Sequence, residues 1–175
     1  LGVRDSKKLT DADMLKIGPL LMERIPHSLL IVTPQKYNQV HEENNLNAIK
    51  AKLHNQAYIN LAKKIELPSF KIIDQFTPET SYYRYLKNDT RIIRGIHFET
   101  KAEDKYLSVA VGSIISRYGF LKTWEEMEQK YNMTFPKGSG DKVDVVAHEF
   151  VERYGFDRLG EVAKLHFKNT EKIRV

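Results

Sequence analysis

The sequence feature that most constrains the fold is a long helical pattern between Leu107 and Tyr131. Apolar side chains recur there every three or four residues, which gives a single helix a broad apolar face. The face consists of Leu107, Val111, Ile114, Ile115, Tyr118, Leu121, Trp124 and Met127. Because such a face must be buried, the rest of the chain has to supply elements that pack against this helix.

Strand-like segments alternate with further helical patterns along the chain. Short runs rich in apolar and β-branched residues predict strands at residues 28–33, 70–74 and 91–99. Helical periodicity predicts helices at residues 10–25, 46–65 and 143–154 and a short one from Pro34. This alternation predicts an α/β domain.

Two threonines are predicted to begin helices. Thr10 and Asp13 have the spacing of a capping box, in which each side chain binds the other residue's backbone N–H. Thr77 precedes Pro78 and Glu79 and is predicted to cap a helix that starts there.

Length and composition indicate one soluble domain whose sheet is incomplete. The chain has 175 residues, 41% of them hydrophobic, which is enough for one sizeable core. Three predicted strands are few for so much helix, and the chain opens without a methionine. We therefore expect the initial strands of the sheet to be missing from this chain.

The charge balance favours polyanionic partners. Lys and Arg total 28 against 23 Asp and Glu, a net charge of +5. A basic surface attracts phosphates, although a mild excess of this size is also common in proteins that bind no nucleic acid. The absence of cysteine excludes disulfides and thiol catalysis. It is compatible with the reducing cytoplasm, and we expect no association with a membrane.

Several kinds of catalytic site can be excluded from the motifs. The sequence contains no phosphate-binding G-x-x-x-x-G-K-[ST] loop, no G-x-S-x-G nucleophile motif and no H-E-x-x-H zinc motif. Its six histidines lack ligand spacing and are interpreted as structural or solvated. Carboxylates remain as the candidates for chemistry.

Asp74 and Glu103 are the carboxylates that we single out. Asp74 ends a predicted buried strand, where α/β proteins place ligands, although it could equally cap a turn. Glu103 and Asp104 are predicted to open the longest helix, where acidic residues also simply favour the helix dipole. Together the two positions offer the oxygen ligands that Mg²⁺ prefers.

Two basic segments are candidates for phosphate binding. Ser6, Lys7 and Lys8 lie in a predicted loop before the first helix, where hydroxyl and ammonium groups can contact phosphate. The loop that contains Lys137, Gly138 and Ser139 is similarly flexible and basic. Ordinary solvated lysines remain the alternative for both.

The order of these motifs resembles the type 2 ribonucleases H over essentially the whole chain. Residues 5–9 are similar to the family's D-S-K-K-L motif, and Asp74 resembles its third acidic residue. Residues 101–106, K-A-E-D-K-Y, and the serine-containing segment at 113–117 resemble the region of the fourth acid. Glutamate at position 103 resembles the bacterial ribonuclease HIII variant, as do residues 44–55 and 159–173.

The resemblance implies a ribonuclease H-like fold, with a mixed sheet flanked by helices, and a metal-dependent endoribonuclease. Such an enzyme would use Mg²⁺ or Mn²⁺ to cut the RNA strand of RNA–DNA hybrids, leaving 5′-phosphate and 3′-hydroxyl ends. Asp74 and Glu103 would be catalytic metal ligands. The nucleic-acid contacts implied are Ser6, Lys7, Lys8, Lys137, Gly138 and Ser139.

Two departures from the family pattern matter. The family's adjacent Asp-Glu pair and its amino-terminal substrate-binding domain would precede Leu1, so residues 1–175 correspond to the carboxy-terminal part of the catalytic domain. We expect this chain alone to be inactive and to act as a monomer with the missing segment. In addition, Ser139 replaces the tyrosine of the ribonuclease HII motif K-G-Y-G, which implies poor cleavage at single embedded ribonucleotides.

Two other classes of function remain open. A non-catalytic nucleic-acid-binding module would explain the positive charge and the lysine loops, but not the paired carboxylates. An α/β interaction domain without a polyanionic partner is the other alternative, and binding that is insensitive to salt would favour it.

Overall fold

The structure is a computed structural model that describes residues 9–173, and these residues form two compact units. The first unit contains residues 9–31 and 44–122, and the second contains residues 32–43 and 123–173. The helices are α1 (Asp11–Arg24), α2 (Pro34–His41), α3 (Leu46–Leu61), α4 (Glu79–Tyr85), α5 (Leu107–Tyr131), α6 (Asp141–Tyr154) and α7 (Lys168–Ile173). The strands are β1 (Lys71–Asp74) and β2 (Ile96–Glu99).

In the first unit, α1 packs closely against α5. The predicted capping box is confirmed, because the Asp13 N–H donates to Thr10 Oγ1 at 3.2 Å and the Thr10 N–H donates to Asp13 Oδ2 at 2.9 Å. A Cβ atom on Gly18 would lie 2.5 Å from Cγ of Tyr118, so only glycine permits this approach. The buried residues of this core are Met14, Leu21, Ala110, Val111, Ile114, Ile115 and Leu121.

The two strands form a parallel pair, which the α4 crossover connects. Asp74 pairs in register with Glu99, so the two strands end at the same edge. The strands share a core with α3 and α4, built from Ala51, Ile73, Tyr82, Leu86 and Ile96. The predicted α/β class is therefore confirmed, with the ends of β1 and β2 side by side.

Two strand predictions were wrong in whole or in part. Residues 28–33 are not a strand in the described part of the chain, and Leu29 instead packs against Gly119 of α5. Residues 91–95 precede the strand, which begins only at Ile96. The side chain of Asn55 binds this segment, donating to Arg91 O at 2.8 Å and accepting from the Ile93 N–H at 3.0 Å.

The helix predictions were more accurate. The bounds of α5 agree with the sequence pattern, and Pro34 begins α2 as expected. α3 ends at Leu61, earlier than predicted. The predicted cap at Thr77 was wrong: Pro78 is the residue before α4, without a side-chain bond, and Thr77 is buried.

The second unit has its own core, made of Tyr131, Met133, Phe150, Leu159 and Ile173. Asn38 of α2 fixes the irregular segment before α7. Its amide group donates to Ala163 O at 2.9 Å and its carbonyl accepts from the Leu165 N–H at 3.0 Å. Across residues 9–173, no helix combines the length and the apolar character needed to span a bilayer.

Candidate active site

Asp74 is the last residue of β1 and is half-buried at the end of the strand, as the sequence predicted. Its Oδ1 accepts a 2.8 Å hydrogen bond from the Ala102 N–H. This bond fixes the orientation of the carboxylate and connects β1 to the turn that follows β2. A carboxylate held in this way can bind a cation through Oδ2 without reorganising.

Glu103 lies in a short 3₁₀ helix, Ala102–Asp104, and not in the first turn of α5 as predicted. Lys101 adopts a left-handed backbone conformation, with φ of 56°, and Ala102 is fully buried. These two residues and the Ala102–Asp74 bond hold a tight turn, so the chain cannot enter α5 before Leu107. Glu103 therefore comes directly after Ala102, the residue whose N–H binds Asp74.

A depression of about 320 Å³ opens on this turn. It is lined by Glu103, Asp104, Lys105, Tyr106, Leu107 and Ala110. The half-buried Glu103 carboxylate thus borders a space large enough for hydrated ions.

Glu99 is a residue of this region that the sequence analysis missed. It accepts hydrogen bonds from the Tyr106 hydroxyl at 2.8 Å and from the Lys105 ammonium, and His97 Nε2 lies 3.1 Å from Oε2. These partners, Lys105 foremost, lower the pKa of Glu99 to about 2. Two signals were available: the predicted strand at residues 91–99 ends in this carboxylate, and the K-A-E-D-K-Y segment contains both of its partners on the far side of Glu103.

His54 of α3 belongs to the surroundings of Asp74. Its ring lies 5.1 Å from that of Phe76, centroid to centroid, and Lys50 lies over the same phenylalanine. Burial, aided by Lys50, lowers the pKa of His54, while the Asp74 carboxylate acts in the opposite direction. His54 is therefore neutral at pH 7.

The residues present fit part of a site for a hard divalent cation. Asp74 and Glu103 offer carboxylate oxygens, the ligands that Mg²⁺ and Mn²⁺ prefer. Within residues 9–173, however, no three Asp, Glu, His or Cys side chains come together as a metal-binding group.

The lysine loop, residues 137–140, lies in the second unit. Lys137, Gly138 and Ser139 are all exposed, and Gly138 has a φ of 118°, which favours glycine. Asn169 of α7 donates to Ser139 O at 3.2 Å and also binds Asp144, so the loop rests on α7. The other predicted phosphate contacts, Ser6, Lys7 and Lys8, lie outside the described residues.

Comparison with known proteins places this arrangement in a family. The sequence model of the family described as "Ribonuclease HII" matches residues 1–170. Ribonuclease HIII of Streptococcus gordonii is 45% identical over 99% of the chain and 60% of its own length. Ribonuclease HIII of Bacillus mycoides is 42% identical over 98% of the chain and 56% of its own length.

Solved structures are similar as well. The structure described as Bst-RNase HIII in complex with Mn²⁺ has a TM-score of 0.95 and 38% identity, over 99% of this chain and 57% of its own. The ribonuclease H2 of Pyrococcus horikoshii shares the fold, with a TM-score of 0.78 at 22% identity, over 98% of this chain and 80% of its own. The chain thus spans little more than half the length of the ribonucleases HIII it matches. It belongs to the type 2 ribonucleases H, the ribonuclease HII family, and is similar within it to bacterial ribonuclease HIII.

Proposed function

We propose that the full-length protein is an endoribonuclease that hydrolyses the RNA strand of RNA–DNA hybrids with Mg²⁺ or Mn²⁺. By full-length protein we mean this chain together with the amino-terminal part that, in this proposal, would precede Leu1. The products would carry 5′-phosphate and 3′-hydroxyl ends. In this proposal residues 1–175 are the carboxy-terminal part of the catalytic domain.

One observation carries the proposal. The Ala102 N–H binds the strand-end carboxylate of Asp74 at 2.8 Å, which brings Glu103 to the same corner of the fold. Two carboxylates at one corner would repel a nucleic acid unless a cation lay between them and the phosphate. A nuclease that works with divalent ions therefore explains the arrangement better than a simple binding module does.

Each residue has a separate role in the proposed reaction. Divalent ions bound at the site would supply the activation of water and the neutralisation of charge on the leaving 3′-oxygen. Asp74, oriented by Ala102, and Glu103 would hold the cations. Lys137, with Lys7 and Lys8, would bind backbone phosphates and set the register of the hybrid.

The lysine loop also bears on substrate choice. Ser139 has no aromatic face that could stack on a sugar at an RNA–DNA junction. We therefore propose that the enzyme requires a run of ribonucleotides. Cleavage of a duplex with one embedded ribonucleotide as fast as a continuous hybrid would contradict this preference.

We also propose that the protein acts in the cytoplasm as a monomer without a membrane partner. The cysteine-free sequence suits a reducing compartment. Analytical ultracentrifugation of the full-length protein at micromolar concentration would detect a dimer and so test the monomeric state.

The test of the proposed activity is cleavage of a labelled RNA–DNA hybrid by the full-length protein. The wild type should cleave the hybrid with Mg²⁺ or Mn²⁺ and should not cleave it when a chelator is present. Asp74→Asn should abolish cleavage. Asp89→Asn is the matched control, since Asp89 is a carboxylate of the same unit that pairs with Lys52 at 3.3 Å. Metal-independent binding without cleavage would favour the non-catalytic binding module instead.

A further inference from the structure

Glu99 differs from Asp74 in how its oxygens are used. The Lys105 ammonium occupies Oε1, while the Tyr106 hydroxyl and His97 Nε2 lie 2.8 and 3.1 Å from Oε2. Both oxygens of Glu99 thus already have partners within the protein. Glu99 is the register neighbour of Asp74, but its two oxygens are engaged by side chains of the protein.

These partners give Glu99 a position at the rear of the turn that carries Glu103. At the front of the turn, the buried Ala102 donates its N–H to Asp74. At the rear, Lys105 and Tyr106 bind Glu99, which is the last residue of β2. Glu103 lies between the two attachments, so both ends of its turn are tied to the ends of the parallel strands.

We infer that Glu99 is a positioning residue: it holds the 102–106 turn so that Glu103 can bind a divalent cation together with Asp74. The inference rests on the proposed function. Glu99 also restrains the Lys105 ammonium, which borders the same depression as Glu103. Without Glu99, Lys105 would be able to pair with Glu103 and compete with the metal ion.

The test uses two substitutions of Glu99 in the full-length protein. Glu99→Gln keeps the size and one acceptor oxygen but removes the charge, and Glu99→Ala removes all three contacts. Asp89→Asn is again the control, because Asp89 is an ion-paired carboxylate of similar exposure, 25% against 22% for Glu99. The readouts are the half-saturating Mn²⁺ concentration for hybrid cleavage, the KM for hybrid, and the hydrogen-exchange protection of the Ala102 amide.

Both Glu99 variants should raise the half-saturating Mn²⁺ concentration about tenfold or more, the effect usual for residues that orient metal ligands. The KM for hybrid should stay within about twofold of wild type, since no phosphate contact is removed. Protection of the Ala102 amide should fall because the turn loses its rear attachment. Asp89→Asn should leave all three quantities unchanged.

A purely structural role for Glu99 would give a different result. It would lower the melting temperature and the fraction of active enzyme, but leave the half-saturating Mn²⁺ concentration and the Ala102 protection as in wild type. That outcome overturns the inference while the proposed function stands. If the wild type itself failed to cleave the hybrid, the proposed function would be wrong, and so would the role of Glu99 in metal binding. Hydrogen exchange of the Ala102 amide would still show whether Glu99 holds the turn.

Discussion

Two of the regions that the sequence singled out for function, the carboxylate corner and the lysine loop, are built in different ways. The carboxylate corner, comprising Asp74, Glu99 and the turn at 102–106, is held by a strand pair, a buried alanine and bonds at both ends of the turn. The lysine loop is exposed throughout and is attached to α7 through Asn169. One region is fixed by the core and the other by side chains at the surface.

This difference matches what each proposed ligand would require. A divalent cation needs oxygen atoms at defined positions, so its ligands have to be held before it binds. A nucleic-acid backbone presents a line of charges, and a lysine on a flexible stem can reach it from a range of positions. Substitutions in the corner should therefore affect the chemical step, whereas substitutions in the loop should affect binding.

After Asp74→Asn, which should abolish cleavage, Glu103→Gln should give the largest effect and is a strong further test of this distinction. We expect cleavage by the full-length protein to fall by about a hundredfold or more, with little change in KM, because a neutral amide binds a divalent cation poorly. Asp104→Asn is the matched control, since Asp104 is the adjacent carboxylate in the same depression. Steady-state kinetics that show equal losses for both variants would contradict the assignment of Glu103.

Asn55→Ala should reveal how strongly the core supports the corner. Asn55 is only 2% exposed, and its removal leaves the Arg91 carbonyl and the Ile93 N–H without partners ahead of β2. We expect the free energy of unfolding in urea to fall by about 2 kcal/mol. Asn169→Ala, which removes the corresponding support of the lysine loop, should cost about 0.5 kcal/mol or less. Equal costs would show that the two regions do not differ in the way described.

Lys137→Ala should weaken substrate binding by a few-fold and leave the chemical step unchanged. Losing one phosphate contact should lower the slope of log K against log salt by about one. The affinity for the hybrid, measured at several salt concentrations without divalent metal so that no cleavage occurs, checks this value. Lys142→Ala, an exposed lysine just beyond the loop, is the control and should leave the slope as it is.

Acidification should produce the smallest effect, a gradual loss of the stability that Glu99 contributes. The folded-state pKa of Glu99 is about 2, below its ordinary value of 4.5, because Lys105, Tyr106 and His97 stabilise the carboxylate. Its stabilising contribution is therefore complete above pH 4.5 and is lost as the pH falls towards 2. Melting curves of Glu99→Gln should depend less on pH in this window than those of wild type. Identical pH profiles would mean that these bonds add nothing to stability.

Asp144, which is linked to the lysine loop through Asn169, is the carboxylate of the second region that compares with Glu99. Lys172 and Asn169 lower its pKa below the ordinary 3.8, so its contribution is also lost on acidification. A carboxylate pKa lowered by hydrogen-bond partners thus occurs in both regions.

Much of the fold could be predicted because local patterns determine it. The capping box at Thr10, the proline at the start of α2 and the apolar face of α5 each depend on residues close in sequence. Asp74 could be located for the same reason, since a buried run that ends in a carboxylate marks the end of a strand.

The errors arose where distant residues decide the structure. A strand requires a partner, and the apolar run at 28–33 meets a helix instead. The backbone at 91–93 is held by Asn55, which lies 36 residues from Arg91 in sequence. Glu103 was assigned to α5 because the sequence gives no sign that the N–H of the neighbouring Ala102 binds Asp74, and Glu99 was missed because its role depends on side-chain contacts across the turn.

The proposed metal site is tested by titrating the full-length protein with Mn²⁺ and following the bound ion by electron paramagnetic resonance. If Asp74 is a metal ligand, the affinity for Mn²⁺ should fall about tenfold or more in Asp74→Asn, while Asp89→Asn binds Mn²⁺ as the wild type does. Equal Mn²⁺ affinity in the wild type and Asp74→Asn would show that the end of β1 holds no metal ion.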